Sequence, residues 1–215
     1  MTAEPVVYKV VFGNTSLSLF FVALGYAVLG PRVFSKRNDG FFPFWSYLLH
    51  WPYFFINCLT FKIWQIAITE PYYTQLSENL FIGRRLTLGD RPKTAEIGIA
   101  NVLDLTCEFP EVSFLKKVPN YLCIPLMDTQ APTLSQLQEG VEWIRKSVLS
   151  GLTFVHCAFG HGRSALFVVA YLLSRNSDLT VGEAINQLKE KHPRIRLTKK
   201  QIEKLHQFKT SLNAI

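Results

Sequence analysis

The sequence is poor in cysteine, and it lacks charge over long stretches. Its four cysteines in 215 residues, at positions 58, 107, 123 and 157, show no spacing typical of a disulfide framework. No second Cys/His pair stands at zinc-ligand spacing, and no internal repeat or low-complexity segment occurs. These absences argue against a disulfide-stapled module, a zinc domain and a repeat architecture.

Charged residues are missing from two long apolar runs, Val10–Pro31 and Gly40–Phe61. Each run is long enough to cross a bilayer as a helix of about 20 residues. The second is rich in aromatic side chains, which are frequent at membrane interfaces. We therefore predict that residues 1–70 form a membrane segment with two transmembrane helices, at about residues 10–31 and 41–61, arranged as a hairpin. A signal peptide and a buried helical pair are the alternatives.

One stretch of the chain, Val155–Ser164, has the pattern of an anion-binding loop. A short apolar, β-branched run before it predicts a buried strand, and the apolar run Ala165–Leu173 after it predicts a buried helix. A strand, a glycine-bearing loop and a helix start form an anion cradle, because the loop amides converge and the helix N-terminus carries a partial positive charge. Gly160 and Gly162 let the backbone approach a ligand closely.

Cys157 and Arg163 supply reactive groups to this cradle. The planar guanidinium of Arg163 can bind two phosphate oxygens at once, and the field that attracts phosphate also stabilises a thiolate at Cys157. A thiolate held where phosphate binds is a nucleophile aimed at phosphorus. The alternatives are a small buried cysteine beside a glycine turn, or metal ligation by Cys157 and His161.

His156-Cys157, five residues, and then Arg163-Ser164 resemble the signature of the cysteine-dependent protein tyrosine phosphatase superfamily. The region from about residue 73 to the C-terminus resembles its dual-specificity branch. The resemblance implies a phosphocysteine at Cys157, phosphoryl binding by Arg163, a leaving thiolate assisted by Ser164, and a loop oriented by His156. It also implies substrate binding by the intervening loop, and no metal or other cofactor is required. The loop residues are Ala158, Phe159, Gly160, His161 and Gly162.

A partner acid is needed because an alkoxide is a poor leaving group, and protonating it is worth a factor of about 10² to 10⁴. Asp128 is the candidate, since it follows a predicted strand and opens a loop. Its distance before the nucleophile also resembles that of the acid in dual-specificity phosphatases. Alternatively, Asp128 caps the loop or the next helix. Asp104, inside an apolar strand, is the second candidate acid, or else a residue hydrogen-bonded to loop amides.

Two loop residues depart from the family pattern: Phe159, where a small residue is usual, and His161. They either shape the rim for a bulky or multiply anionic substrate, or they point away and pack. Further on, Arg194 or Arg196 resembles an arginine that braces the phosphate loop or binds a substrate anion. A solvated basic turn is the alternative for that segment.

Strands alternate with helices after residue 71, which predicts an α/β catalytic domain over residues 71–215 with a mainly parallel sheet and helices on both faces. This fold class is dual-specificity phosphatase-like, preceded by the α-helical transmembrane hairpin. Capping boxes beginning at Thr133, Thr180 and Thr198 predict three helix starts. In such sheets ligands bind beyond the carboxyl ends of the strands, where the Cys157 loop lies.

The predicted function is a membrane-tethered phosphomonoester hydrolase acting on phosphotyrosine, phosphoserine or phosphothreonine in proteins. A phospholipid head-group phosphatase, for example on phosphatidylglycerophosphate, and a non-catalytic membrane-tethered phosphate-binding module are the alternatives. Lys and Arg outnumber Asp and Glu by 23 to 16, and this charge favours phosphorylated ligands and anionic membrane surfaces. Nucleic acid is a poor fit, because no reading motif accompanies the charge.

We expect a multi-pass membrane protein with its catalytic domain in the cytoplasm. Basic residues flank both predicted spans, so the positive-inside rule leaves the sidedness open. We place the catalytic domain in the cytoplasm because a catalytic thiolate survives better in a reducing compartment. The sequence leaves the oligomeric state undetermined.

Overall fold

The computed structural model describes residues 6–94 and 97–212. Residues 1–5 of the predicted membrane segment and residues 95, 96 and 213–215 of the predicted catalytic domain lie outside the described part. The helices are α1 Val6–Leu24, α2 Phe44–Ala67, α3 Arg91–Thr94, α4 Ser113–Lys116, α5 Leu134–Ser150, α6 Arg163–Arg175, α7 Val181–Lys191 and α8 Lys199–Leu212. The strands are β1 Tyr73–Ser77, β2 Leu80–Arg84, β3 Asn101–Thr106, β4 Asn120–Leu126 and β5 Thr153–Cys157. A π-helical turn, Gly25–Leu29, and a 3₁₀ turn, Gly30–Phe34, prolong α1, and a short 3₁₀ turn occupies Leu88–Asp90.

The five strands form one sheet in the order β1-β2-β5-β3-β4. The β2–β5, β5–β3 and β3–β4 pairs are parallel, and β1 pairs with β2 antiparallel. The predicted α/β class is therefore confirmed, with a mixed sheet, because β1 adds an antiparallel edge strand that the sequence pattern did not reveal.

The core lies on both faces of the sheet. On one face, side chains of β3 and β5 such as Leu103 and Val155 pack with α5, α6, α7 and α8, for example with Phe167 and Leu205. On the other face a smaller cluster surrounds Phe154. Helix α6 is buried almost all round, which explains its nearly continuous apolar sequence.

Capping at the predicted helix starts has the expected geometry. The Thr133 hydroxyl accepts the Gln136 N–H, and Thr180 accepts the Glu183 N–H, at the first residues of α5 and α7. The third box, at Thr198, forms in the same way and begins α8. These caps fix the entry of each helix onto the sheet.

The N-terminal segment differs from the predicted two-span hairpin. Among the described residues, the helical stretch Val6–Phe34 alone is long and apolar enough to cross a membrane, a test that a core helix or a signal sequence also passes. Only 28% of its apolar window is buried, which is little for a core helix. Helix α2 contains the second predicted span but does not meet the criterion, since residues such as His50, Pro52 and Asn57 dilute it. The multi-pass arrangement is therefore not supported.

Helix α2 lies against the catalytic domain. Phe61 is 3% exposed, and its ring packs against Phe109 and Phe159, with ring centroids 5.9 and 5.7 Å away. Trp64 meets the Phe159 ring edge-on at 4.9 Å. The last turns of α2 therefore cover protein rather than face lipid on this side.

The connection between α1 and α2 is anchored by a buried ion pair. Lys36 Nζ lies 2.6 Å from Asp104 Oδ2, both side chains are fully buried, and Nζ also donates to the carbonyl and hydroxyl oxygens of Thr106. Tyr121 donates its hydroxyl to Asp104, and the Thr106 N–H donates to Asp104 Oδ1. Burial alone would raise the pKa of Asp104, but the Lys36 ammonium holds it well below its usual value. Both carboxylate oxygens of Asp104 therefore accept hydrogen bonds from structural groups. This agrees with the prediction that Asp104 is hydrogen-bonded to nearby amides rather than acting as a second catalytic acid.

We expect Lys36→Met to lower the free energy of unfolding by about 3–5 kcal/mol at pH 7, because it leaves a buried carboxylate unpaired. Since the folded pKa of Asp104 is depressed, the wild-type contribution is complete above about pH 4, the unfolded carboxyl range, and is lost as the pH falls toward the folded pKa. Urea unfolding followed by circular dichroism measures this.

The matched control is the double variant Lys36→Met/Asp104→Asn, which removes both charges and should recover part of the loss. A single variant as stable as the wild type, or a double variant no better than the single, would contradict the anchoring role.

Candidate active site

The loop between β5 and α6 has a backbone that only glycine permits at one point. Gly160 has φ +85°, and a Cβ there would lie 2.7 Å from the carbonyl carbon of Gly83. Outside the loop, the Arg85 N–H donates to Ala158 O, and the Arg196 N–H donates to His161 O. These two hydrogen bonds satisfy carbonyl groups of the loop from neighbouring segments, which leaves the loop amides available to the space inside the loop.

His192 also holds the loop between β5 and α6. Its Nε2 lies 3.2 Å from Gly160 O and its Nδ1 lies 2.8 Å from the Thr74 hydroxyl. Burial lowers the pKa of His192, which keeps the ring neutral, with Nε2–H donating to the loop. His192 was not among the predicted site residues, although the predicted arginines stand beside it in the sequence.

Cys157 ends β5 and lies inside the turn of the loop. Its side chain is buried, its Sγ accepts the Gly160 N–H at 3.3 Å, and the Ser164 Oγ lies 3.4 Å from it. Cys157, Gly160 and Ser164 thus come together at the N-terminus of α6, whose partial positive charge favours an anion. Gly162 closes the loop at the first turn of the helix.

Arg163 is fully buried and is held by Glu108. Its Nη1 and Nη2 donate to the two Glu108 carboxylate oxygens at 2.8 and 2.6 Å, and Nη1 also donates to Leu126 O. Burial alone would lower the pKa of Arg163, but the Glu108 carboxylate raises it well above its usual value. The buried Nε has no hydrogen-bond partner among the residues described, so it remains available to an anion in the loop.

Glu108 was missed in the sequence. It stands two residues beyond the end of β3, at the carboxyl edge of the sheet, and this position was the available signal. The Cys107 N–H also donates to Glu108, and the nearby guanidinium keeps the pKa of Glu108 low against the effect of burial.

Asp128 lies across the loop from these groups, two residues after β4. Its Oδ1 is 3.3 Å from Arg163 Nη2, and its side chain is 52% exposed, so that one face is open to solvent. The Thr198 hydroxyl and the Gln201 side chain donate to carbonyl oxygens of the loop that carries it. The cap of α5 is Thr133 rather than Asp128, which removes the helix-capping alternative.

His156, next to the nucleophile, is buried behind the loop. Its Nε2 lies 2.7 Å from Glu111, a carboxylate that was not predicted, and its ring stacks on Phe154. Burial would lower the pKa of His156, but Glu111 raises it. Asp104, Glu111 and His156 are a metal-ligating set of residue types, yet the cation bound there is the Lys36 ammonium.

The two unusual loop residues contact the N-terminal segment. Phe159 packs against α2, as described above, and His161 Nε2 lies 2.9 Å from Glu70, which follows α2. The same carboxylate pairs with Arg194 at 2.6 Å, whereas the Arg196 side chain is exposed. Phe159 is therefore packed against α2 while it stays near Asp128 at the rim of the loop, and Arg194 contacts the loop through Glu70.

The geometry of the loop agrees with a comparison of the sequence with known families. The model of the dual specificity phosphatase catalytic domain matches residues 80–211, more than half of the chain. The chain belongs to this family. It is a cysteine-dependent phosphatase.

Relatives include lipid and protein phosphatases. The chain is 28% identical over 167 residues to phosphatidylglycerophosphate phosphatase PTPMT2 of Arabidopsis thaliana, covering 75% of the chain and 72% of that protein. It is 31% identical over 141 residues to dual specificity protein phosphatase 16 of Homo sapiens, covering 65% of the chain but only 21% of that protein. The crystal structure of PTPMT1 in complex with PI(5)P has the same fold, with a TM-score of 0.57, 22% identity, and coverage of 67% of this chain and 98% of that one.

Proposed function

We propose that the protein is a membrane-associated phosphomonoester hydrolase that acts on the phosphate of a lipid head group through a phosphocysteine at Cys157. The observation that carries the reaction is the Cys157 sulfur, which accepts a hydrogen bond from the Gly160 amide just before α6, together with the buried Arg163, whose Nε has no partner among the described residues. These groups offer a nucleophile and anion donors at one point.

In the first step, Cys157 Sγ attacks phosphorus while Arg163 and the loop amides from Ala158 to Gly162 hold the equatorial oxygens. The bond from phosphorus to the ester oxygen breaks, and protonated Asp128 gives its proton to that oxygen, releasing an alcohol. Asp128 suits this role because it faces Arg163 from a separate loop and is open to solvent.

In the second step, Asp128 accepts a proton from water, and the water oxygen attacks phosphorus. The sulfur–phosphorus bond breaks, and the Ser164 hydroxyl stabilises the departing thiolate by donating to Sγ, from which it lies 3.4 Å away. His156, anchored by Glu111, fixes the backbone on which Cys157 sits.

Membrane association is supported by apolar surfaces on both N-terminal helices. The exposed large apolar residues of α1 are Val6, Val7, Tyr8, Val10, Val11, Phe12, Leu17, Leu19 and Phe20. Those of α2 are Phe44, Trp45, Tyr47, Leu48, Trp51, Phe55, Ile56, Leu59, Ile63 and Ile66, and they extend over about 33 Å at 1.5 Å per residue. Patches of this extent fit a membrane, with α1 inserted and α2 lying along the surface.

A lipid substrate fits this arrangement, because residues of the N-terminal segment line one cavity together with Asp128 and Phe159, so a membrane bound by α1 and α2 would lie near the loop. A cytoplasmic location of the catalytic domain, over residues 71–215, remains part of the proposal, in keeping with four free cysteines. A phosphoprotein substrate is the second candidate, favoured by the likeness to the human protein phosphatase. Side-by-side turnover of phosphopeptides and of a lipid phosphate in vesicles separates the two.

We expect Cys157→Ser to reduce hydrolysis of p-nitrophenyl phosphate by at least about 10⁴-fold, since the covalent step loses its nucleophile. The assay is run with a chelator present. Cys58→Ser, which changes an exposed cysteine, is the matched control and should retain the wild-type rate. Comparable rates for Cys157→Ser and the control would refute the phosphocysteine.

Asp128→Asn should lower turnover about 10²- to 10⁴-fold on alkyl phosphates, whose leaving group needs a proton. The loss should be much smaller on p-nitrophenyl phosphate, because nitrophenolate departs without one. Steady-state kinetics on both substrates measures the difference. Equal losses on the two esters would show that a residue other than Asp128 is the acid.

Phe12→Asp should weaken binding to anionic phospholipid vesicles, because a carboxylate in the hydrocarbon region costs about 2.5–3.5 kcal/mol, or roughly 10²-fold in partitioning. Phe12 is 68% exposed. Leu149→Asp, at an 81% exposed leucine of the catalytic domain, is the matched control. Vesicle flotation in which both variants bind like the wild type would argue against membrane insertion of α1.

A further inference from the structure

A cavity of about 110 Å³ lies beside the phosphate-binding loop, between the N-terminal helices and the catalytic domain. The catalytic domain contributes Asp128 and Phe159 to it, and the helices contribute Tyr26, Asn57 and Thr60. One water needs roughly 10–15 Å³ of such space, so the cavity holds a fragment of several non-hydrogen atoms. Neither the reaction steps above nor the family motif uses the residues from the helices.

The helix side of this cavity is polar, although it belongs to the most apolar part of the chain. Tyr26 and Thr60 bring hydroxyl groups, and Asn57 brings an amide whose buried Nδ2 makes no hydrogen bond of good geometry in the described part of the chain, although the Asn57 side chain interacts with Tyr53. A buried donor with so weak a partner gains from a ligand or water that satisfies it. Glu108 also lines the cavity, but its carboxylate is engaged by Arg163.

The position of the cavity relative to Asp128 defines which part of a substrate enters it. Asp128 faces Arg163 on one side, at 3.3 Å, and lines the cavity on the other. An ester oxygen that accepts a proton from Asp128 would lie between the loop and this cavity. The alcohol attached to that oxygen would then extend into the cavity, away from the loop.

We infer that α1 and α2 complete the active site with a leaving-group subsite that binds the hydroxyl-bearing alcohol of an alkyl phosphate ester. Tyr26, Asn57 and Thr60 are its specificity-determining residues, and Phe159 forms its apolar side against the carbon chain. A glycerol-like alcohol has the matching chemistry, whether it is free or part of a lipid head group. The inference rests on the proposed phosphatase reaction and adds the chemical class of its leaving group.

Kinetics with the full-length chain in detergent test this inference, with three substrates: glycerol 3-phosphate, a lipid with a phosphorylated glycerol head group in mixed micelles, and p-nitrophenyl phosphate. For Asn57→Leu and Tyr26→Phe, we expect the ratio of kcat/KM on the alkyl esters to that on the aryl ester to fall about 3- to 10-fold, mainly through KM. Ile56→Leu, at an exposed neighbouring position of α2, should leave this ratio unchanged.

If the ratio falls equally for glycerol 3-phosphate and for the lipid, the subsite recognises the alcohol itself. If the ratio falls only for the lipid, the subsite recognises the head group of a lipid held in the micelle. A ratio unchanged in both variants would overturn the subsite while leaving the phosphatase intact. A wild type inactive on all three esters would instead overturn the proposed function. Tyr26→Phe removes one hydroxyl only, so it carries the test if Asn57→Leu fails to fold.

Discussion

The ion pair between Arg163 and Glu108 is the interaction on which the site depends. A fully buried guanidinium needs a charged partner. Glu108 pairs with it through two short hydrogen bonds, which fix the orientation of the guanidinium plane. That geometry leaves Nε, the remaining donor, free within the loop region. The carboxylate comes from the end of β3 and the arginine from the start of α6, so the ion pair also fixes the loop to the sheet. The ion pair thereby fixes the orientation of the Arg163 guanidinium relative to β5, the strand that ends at Cys157.

The N-terminal segment is part of the catalytic structure rather than a separate tether. Lys36 reaches Asp104, which is the register partner of His156 on the neighbouring strand. At the other side of the loop, Phe61 and Glu70 contact Phe159 and His161. The segment thus contacts the strand beside β5 through Lys36 and the rim of the loop through Phe61 and Glu70. A change in the position of α2 would therefore shift Phe159 and His161 next to Cys157.

The sequence predicted the parts of the site that are local in the chain. A strand, a glycine loop and a helix start place Cys157 and Arg163 within seven positions, and a cap such as Thr133 needs only its own helix. The partners Glu108, Glu111 and Glu70 lie far from the loop in sequence, so no spacing rule could join them to it. The hairpin prediction did not hold because it rested on the absence of Asp, Glu, Lys and Arg from the second run. Uncharged polar residues such as Asn57 still lower the hydropathy of α2, and one side of this helix meets protein.

Selectivity in such a site must come from outside the phosphate loop. In the proposed reaction the loop would hold three phosphoryl oxygens that every phosphate monoester shares, and the amides and Arg163 would recognise them in the same way whatever alcohol is attached. The bulky Phe159 is held against α2, so the rim of the loop is shaped by the helices that cover it. What differs between substrates is the group beyond the ester oxygen. In the proposed reaction that group would lie beside Asp128, next to helices that are apolar toward the outside and polar toward the cavity. The same two helices would then provide both the apolar outer surface and the polar contacts that distinguish one phosphate ester from another.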